Sequence, residues 1–174
     1  MMVANVTMQT NTESMIYGDL DSIMQLKNGN FLLSQAYFKE LNENAFQINE
    51  FRFFCHRPSH GRTIHIASTT SSDSREWVQY LLGNHDIHGL NCFRNCHDVF
   101  RRLEGDNSLL AQSQNEIRYG RPVLQPPQRV YDHQVFFPGE HHFIVTDLQS
   151  VRRFECDDMN GNAHNPAVWQ VYIR

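Results

Sequence analysis

The chain has 174 residues, of which 40% are hydrophobic and 20% are charged, so it is long enough to bury the core of one globular domain. Its net charge of −4 and the lack of any basic run argue against a general nucleic-acid binder. No apolar run is as long as a membrane span, and residues 1–15 lack the basic start and apolar middle of a Sec signal peptide. We therefore expect a single domain over residues 1–174, made in the cytoplasm, with a flexible polar segment at residues 1–11.

The first half of the chain predicts two helices followed by a pair of strands. Apolar residues recur at helical spacing over Thr12–Lys27 and again over Phe31–Leu41. The aromatic-rich segment Phe46–His56 alternates in places and predicts a strand. Thr63–Ser68 predicts a second strand, and the turn residues of Pro58–Gly61 between the two favour a hairpin.

Two more helices are predicted in the middle of the chain. Residues 71–73 (Ser-Ser-Asp) precede a helix that we expect to end near Leu82, and Asp73 and Glu76 have the spacing of a capping box at its start. A second helix is expected over Asn91–Glu104, with Gly105 as its stop. Its predicted buried face consists of Cys92, Cys96, Val99, Phe100 and Leu103.

The last third predicts sheet. Candidate strands are Phe143–Thr146, Val151–Cys156 and Val168–Ile173, and we expect them to form a meander. The predicted fold class is α+β, because the order of elements is helices, a strand pair, a central helix and then a meander.

One of the four cysteines lies where a thiolate would be stabilised. A thiol reacts as its thiolate, and the free N–H groups of a helix N-terminus favour that negative charge. Cys92 follows the candidate N-cap Asn91, so it would lie in the first turn of the central helix. Without a signal peptide we expect Cys55, Cys92, Cys96 and Cys156 to be free thiols.

A histidine and an aspartate complete the candidate site. His142 begins one predicted strand, and its ring needs an acceptor that fixes the tautomer. If the chain turns back at residues 148–151, the ladder brings Asp157 beside His142. Cys92 would then be the nucleophile, His142 the base and Asp157 its orienting partner. His141 and Asp158 are the neighbouring alternatives to the last two.

Two segments resemble the papain-fold bacterial toxin domains. Residues 91–96 (Asn-Cys-Phe-Arg-Asn-Cys) and 102–105 (Arg-Leu-Glu-Gly) are similar to the nucleophile helix of that family, and His142-Phe143 with residues 157–161 (Asp-Asp-Met-Asn-Gly) to its histidine strand and Asp-x-Gln-x-Gly segment. Three residues, rather than two, separate the cysteines, and Met159 stands in place of the glutamine. Glutamine-deamidating type III effectors and effector proteases have a similar order and spacing.

The resemblance implies a papain-like fold in which a central nucleophile helix packs on an antiparallel sheet. It implies a cysteine hydrolase that acts on an amide of a protein substrate, as a glutamine deamidase or a protease, with the same roles for Cys92, His142 and Asp157. No cofactor, nucleic acid or metal is expected. The substrate would be a protein of a host or competitor cell, and the chain a secreted effector or toxin.

Other interpretations of the same residues remain open. Asn95-Cys96-His97-Asp98 also resembles the permuted papain-like group, which would make Cys96 the nucleophile of an acyl or thioester enzyme, with His56 or His65 as its histidine. His85-Asp86 superficially resembles the metal-binding pair of HD-domain phosphohydrolases. A non-enzymatic interaction domain stabilised by zinc is the remaining alternative, with ligands from Cys55, His60, Cys92 and Cys96.

Overall fold

The structure is a computed structural model. It describes residues 1–8, 16–18, 30–44, 47–84, 98–109, 118–119, 129–131, 134–137, 141–148, 151–158 and 166–174. Over these ranges the fold is α+β, with mostly antiparallel sheet and two helices, α1 (Gln35–Asn44) and α2 (Ser72–Leu81). Neither helix in this part of the chain is long and apolar enough to cross a bilayer.

The strands form two sheets. The larger sheet contains β1 (Met2–Met8), β2 (Ile16–Gly18), β3 (Phe31–Leu33), β4 (Phe51–Arg57), β5 (Arg62–Ser68), β6 (Phe100–Arg102) and β11 (Ala167–Ile173). The smaller sheet contains β7 (Arg118–Tyr119), β8 (Gln134–Phe137), β9 (His141–Leu148) and β10 (Val151–Asp158). Their strand orders are β2-β3-β1-β11-β4-β5-β6 and β10-β9-β8-β7.

Alternation along β4 separates the two faces of the larger sheet. Phe51, Phe53, Cys55 and Arg57 are buried, whereas the residues between them are only half-buried. We call the buried side the inner face and the other side the outer face. On the inner face the ring of Phe53 meets Phe143 of the smaller sheet edge-on at 5.1 Å between centroids, so the hydrophobic core lies between the sheets.

Helix α2 closes the same core from the inner face. The ring centroid of Trp77 lies 4.6 Å from that of Phe100 and 5.8 Å from that of Phe53. The predicted helix is present but begins at Ser72, two residues earlier than a cap at Asp73 would give, and its cap is Ser71, whose Oγ accepts a hydrogen bond from the backbone N–H of Ser74 at 3.1 Å. Gly83 follows the helix with φ +87°, a left-handed conformation that costs glycine little.

The β4–β5 hairpin is confirmed, as are the three strands predicted near the C-terminus. The meander is correct only for β9 and β10, which pair directly. β11 instead crosses to the larger sheet and lies between β1 and β4. Its side chains alternate between buried and half-buried, which suits a central strand with one covered face.

The N-terminal predictions are wrong at residues 2–8, 16–18 and 31–33, whereas the second predicted helix is confirmed from Gln35 to Leu41. β1 occupies residues 2–8 of the segment expected to be flexible, because Val3, Val6 and Met8 are buried while it pairs with β11 and β3. The helix predicted over Thr12–Lys27 contains the strand Ile16–Gly18, which pairs in parallel with β3. Similarly, Phe31–Leu33 is a strand, and α1 begins only at Gln35.

The predicted central helix is also wrong over its second half. Residues 91–97, which contain Cys92 and Cys96, lie outside the described residues. Asp98 has a left-handed φ of 50°, and Phe100–Arg102 is a strand at the edge of the larger sheet. Phe100 is buried against Trp77 while Arg101 and Arg102 are exposed, so packing overrides the helical spacing of the sequence.

Candidate active site

The β9–β10 hairpin positions the candidate base. As predicted, the strand that follows His142 turns back and runs antiparallel beside it. A regular ladder would place Asp157 opposite His142, but a bulge between Cys156 and Asp158 shifts the register by one residue. Asp158 is therefore the partner of His142 in the ladder, and Asp157 occupies the bulge with a left-handed φ of 57°.

The acceptor beside His142 is a residue that sequence reasoning missed. Glu155 pairs with Ile144, so its side chain points to the same face of the hairpin as His142, one diagonal step along the ladder. Nδ1 of His142 hydrogen-bonds to Oε2 of Glu155. His142 is 7% exposed and Glu155 1%, so this hydrogen-bonded pair is screened from water. The carboxylate fixes Nδ1 as the nitrogen that carries the proton in the neutral ring.

Side chains of the larger sheet hold the strand that carries Glu155. The carbonyls of residues 154–157 accept, in order, from Arg57 Nη2 (2.8 Å), Trp169 Nε1 (3.0 Å), His60 Nε2 (3.1 Å) and Arg62 Nη2 (2.7 Å). β10 is the edge strand of the smaller sheet in the described residues, and these donors join its carbonyls to side chains of the larger sheet and of the β4–β5 turn. The backbone of Glu155 is thereby fixed on both sides.

Asp157 anchors the bulge to the larger sheet. Its Oδ2 accepts from Arg62 Nε at 2.6 Å and from the backbone N–H of Leu109 at 2.9 Å. The same guanidinium donates to the carbonyl of Asp157, so Arg62 binds both the backbone and the side chain of Asp157. These contacts give Asp157 a structural role at the bulge, whereas the sequence predicted that it would orient His142.

Asp158, which is half-buried, forms an ion pair with the buried Arg57. Its Oδ2 lies 2.8 Å from Arg57 Nη1, and its Oδ1 accepts from the backbone N–H of Cys156 at 2.9 Å. Burial raises the pKa of Asp158 although the charge of Arg57 opposes that shift. Burial likewise lowers the pKa of Arg57 against the attraction of Asp158. Desolvation therefore outweighs mutual attraction for both partners.

Cys55 and Cys156 form a disulfide that joins the two sheets, so the expectation of free thiols at these two positions is wrong. They are buried on facing strands with their Cα atoms 5.8 Å apart, a separation that suits a disulfide. Sequence reasoning placed the chain in a reducing compartment because it found no signal peptide. Cys156 lies between Glu155 and Asp157, so the bond fixes the strand segment that carries the candidate site.

His60 is held neutral between two hydrogen bonds. Its Nδ1 accepts from the backbone N–H of Arg62 at 3.1 Å, and its Nε2 donates to the carbonyl of Cys156. Burial, followed by the charge of Arg62, lowers the pKa of His60 below its ordinary 6.5.

This lowered pKa predicts a loss of stability in mild acid. At pH values between the lowered pKa of folded His60 and its ordinary pKa, the unfolded chain binds a proton at this residue and the folded chain does not. Acidification through this range therefore favours the unfolded state. The urea midpoint is expected to fall from pH 7 to pH 5, and to fall less in His60→Gln, whose amide stays neutral. Equal falls in the two proteins would contradict this role of His60.

The remaining candidates are placed as follows. Cys92 and Cys96 lie outside the described residues, as do His85, Asp86 and the side chain of His141. His56 and His65, the histidines of the permuted alternative, lie on the outer face of the larger sheet, where they contact Thr63 and Arg52.

The four-ligand zinc site is wrong as proposed. Cys55 is in the disulfide, and both ring nitrogens of His60 are engaged. Over the described ranges, no three His, Cys, Asp or Glu side chains are arranged to hold a metal ion.

No protein-family model, curated protein or solved structure matches this chain.

Proposed function

We propose that the chain is a cysteine-nucleophile hydrolase with a papain-like catalytic arrangement that acts on an amide of a protein substrate. The observation that carries the proposal is the buried hydrogen bond between His142 Nδ1 and Glu155 Oε2. A histidine held by a carboxylate, with Nε2 as its basic nitrogen, is the arrangement that activates a nearby thiol. Cys92 is the proposed nucleophile, and Glu155 replaces Asp157 as the positioning residue.

The proposed reaction has two steps. Nε2 of His142 takes the proton of the Cys92 thiol, and the thiolate attacks the amide carbonyl carbon. The imidazolium then protonates the departing nitrogen, which leaves as ammonia or as a peptide amine, and a thioester to Cys92 remains. In the second step His142 takes a proton from water, and the resulting attack releases a carboxylic acid and restores the thiol. Glu155 stabilises the imidazolium that forms in each step.

The disulfide supports the proposal that the protein works outside a reducing cytoplasm. Stable disulfides are typical of secreted proteins and rare in cytosolic ones. A bond so close to Glu155 would keep the hairpin in place after export. A glutamine side chain or a peptide bond of a protein in another cell is the proposed substrate.

The proposal predicts one cysteine of unusual reactivity. Iodoacetamide labelling from pH 5 to 9 without reductant, read by peptide mass spectrometry, is expected to show Cys92 reacting fastest, with a midpoint below the ordinary thiol pKa of about 8.5. Cys55 and Cys156 are blocked by their disulfide and serve as internal controls. His142→Ala is expected to abolish the advantage of Cys92.

Two matched variants test whether Glu155 or Asp157 is the residue that positions His142. Glu155→Gln, which removes the charge beside His142, is expected to slow labelling of Cys92 at pH 6 by about tenfold, equivalent to one pKa unit. Asp157→Asn, which changes the contact with Arg62, is expected to leave that rate nearly unchanged in the folded protein. The reverse order would restore Asp157 as the positioning residue. Fastest labelling at Cys96 would favour the permuted alternative, and slow, equal labelling of both thiols would reject a cysteine enzyme.

A further inference from the structure

The outer face of the larger sheet has no acidic side chain on three adjacent strands, β11, β4 and β5. On β4, β5 and β11 the outward positions include Arg52, Phe54, His56, His65, Gln170 and Tyr172, all of them half-buried. Tyr172 pairs with Arg52 in the ladder, and Phe54 pairs with both Gln170 and His65. Flat rings and hydrogen-bonding groups therefore lie in adjacent rows.

Arg52 is held on this face without an acidic partner. Its guanidinium carbon lies 4.9 Å from the ring centroid of Tyr172, and its Nε donates to His65 Nε2 at 2.7 Å. His65 in turn donates through Nδ1 to the carbonyl of Glu104 at 2.6 Å, so its ring is neutral. No carboxylate in the described part of the chain pairs with Arg52. Its terminal N–H groups thus keep a positive charge that is fixed in position but not compensated.

Two more arginines extend this charge toward the edge of the sheet. Arg101 lies in the same ladder row as Arg52, with Ala67 between them. Arg101 and Arg174 share Glu50, whose Oε2 is 3.1 Å from each guanidinium. A cleft of about 430 Å³ lies beside them and is lined in part by residues 68–70. Two of the three guanidiniums therefore share one carboxylate side chain, and that of Arg52 pairs with none in the described residues.

We propose that this outer face binds single-stranded nucleic acid. Bases stack on flat side chains whatever their sequence, and phosphates bind guanidinium groups, so a single strand uses both features of the face. A duplex would hide its base faces, and an acidic peptide would use the arginines but not the rings. The sequence showed no basic run because Arg52 lies on β4, Arg101 on β6 and Arg174 directly after β11, so they come together only in the fold. The site lies on the opposite face from the disulfide and is independent of the hydrolase proposal.

Fluorescence anisotropy with a labelled single-stranded octanucleotide tests the proposal on the intact chain. Three phosphate contacts predict a slope of about −2 in log affinity against log salt, or about a 15-fold loss between 50 and 200 mM. Arg52→Gln is expected to weaken binding and to reduce the magnitude of the slope by about 0.7. Lys39→Gln is the matched control, because it removes the same charge from an exposed position on α1 and should leave binding unchanged.

Variants at Tyr172 distinguish the contribution of base stacking to binding from that of charge. Tyr172→Leu is expected to weaken binding by about tenfold, within the range for loss of one stacked base, while Tyr172→Phe keeps the ring and the affinity. Unfolding midpoints equal to that of the wild type confirm that each variant is folded. The proposal is overturned if the wild-type chain does not bind the octanucleotide at 50 mM salt. It is also overturned if duplex DNA or polyglutamate binds equally well, or if Lys39→Gln weakens binding as much as Arg52→Gln.

Discussion

Replacing Cys55 and Cys156 by alanine is expected to lower the free energy of unfolding by about 2–4 kcal/mol. The bond closes a loop between residues 101 positions apart, so its loss allows the unfolded chain many more conformations. Both side chains are buried, so alanine also removes packing from the contact between the sheets. Urea denaturation followed by circular dichroism measures the change.

Reduction gives an independent test of the same bond. Tris(2-carboxyethyl)phosphine is expected to lower the urea midpoint of the wild-type chain toward that of the double alanine variant. The reductant should leave the double variant unchanged, because Cys92 and Cys96 are then its only cysteines. An unchanged wild-type midpoint after complete reduction would show that the disulfide contributes nothing to stability.

Strands could be predicted where apolar residues alternate along a segment and turn residues mark its end. β4 and β5 meet both conditions, since a turn that contains Pro58 and Gly61 joins two segments whose inward residues are mostly apolar. The helical prediction failed at residues 98–104 because Val99 and Phe100 are both buried, which matched a helical face by coincidence. The contact of Phe100 with Trp77, which decides the outcome, is not visible from local spacing.

In the candidate site, too, local sequence predicts the strands but not which side chains come into contact. His142 and the hairpin that carries it were predictable, because an apolar strand, a short turn and a second strand follow one another directly. The partner of His142 depends on a one-residue bulge that shifts the ladder at Asp157. A glutamate within a strand whose neighbours are buried is the signal that could have identified Glu155. Arg57 and Arg62 were missed because their carboxylate partners lie about 100 residues away in sequence.

Arg57→Met is expected to destabilise the protein by about 3–5 kcal/mol, because it leaves the carboxylate of Asp158 without its cation. Arg57 is 2% exposed, and its loss also removes the donor to the carbonyl of Phe154. Arg101→Met is the matched control: this exposed arginine pairs with Glu50, and its replacement should cost less than about 0.5 kcal/mol. Urea denaturation at pH 7 gives both values.

A second substitution at Asp158 and a comparison of two pH values show whether the cost of Arg57→Met is electrostatic. Since burial outweighs attraction at both groups, neutralising Asp158 as well should recover about 1–3 kcal/mol, so Arg57→Met/Asp158→Asn is expected to be more stable than Arg57→Met. Without Arg57, which lowers the pKa of Asp158, that pKa rises further, and the carboxyl becomes neutral in mild acid. The cost of Arg57→Met should therefore be smaller at pH 4 than at pH 7. An equal cost at both pH values would assign it to lost packing and to the unpaired Phe154 carbonyl, because neither of these depends on the charge of Asp158.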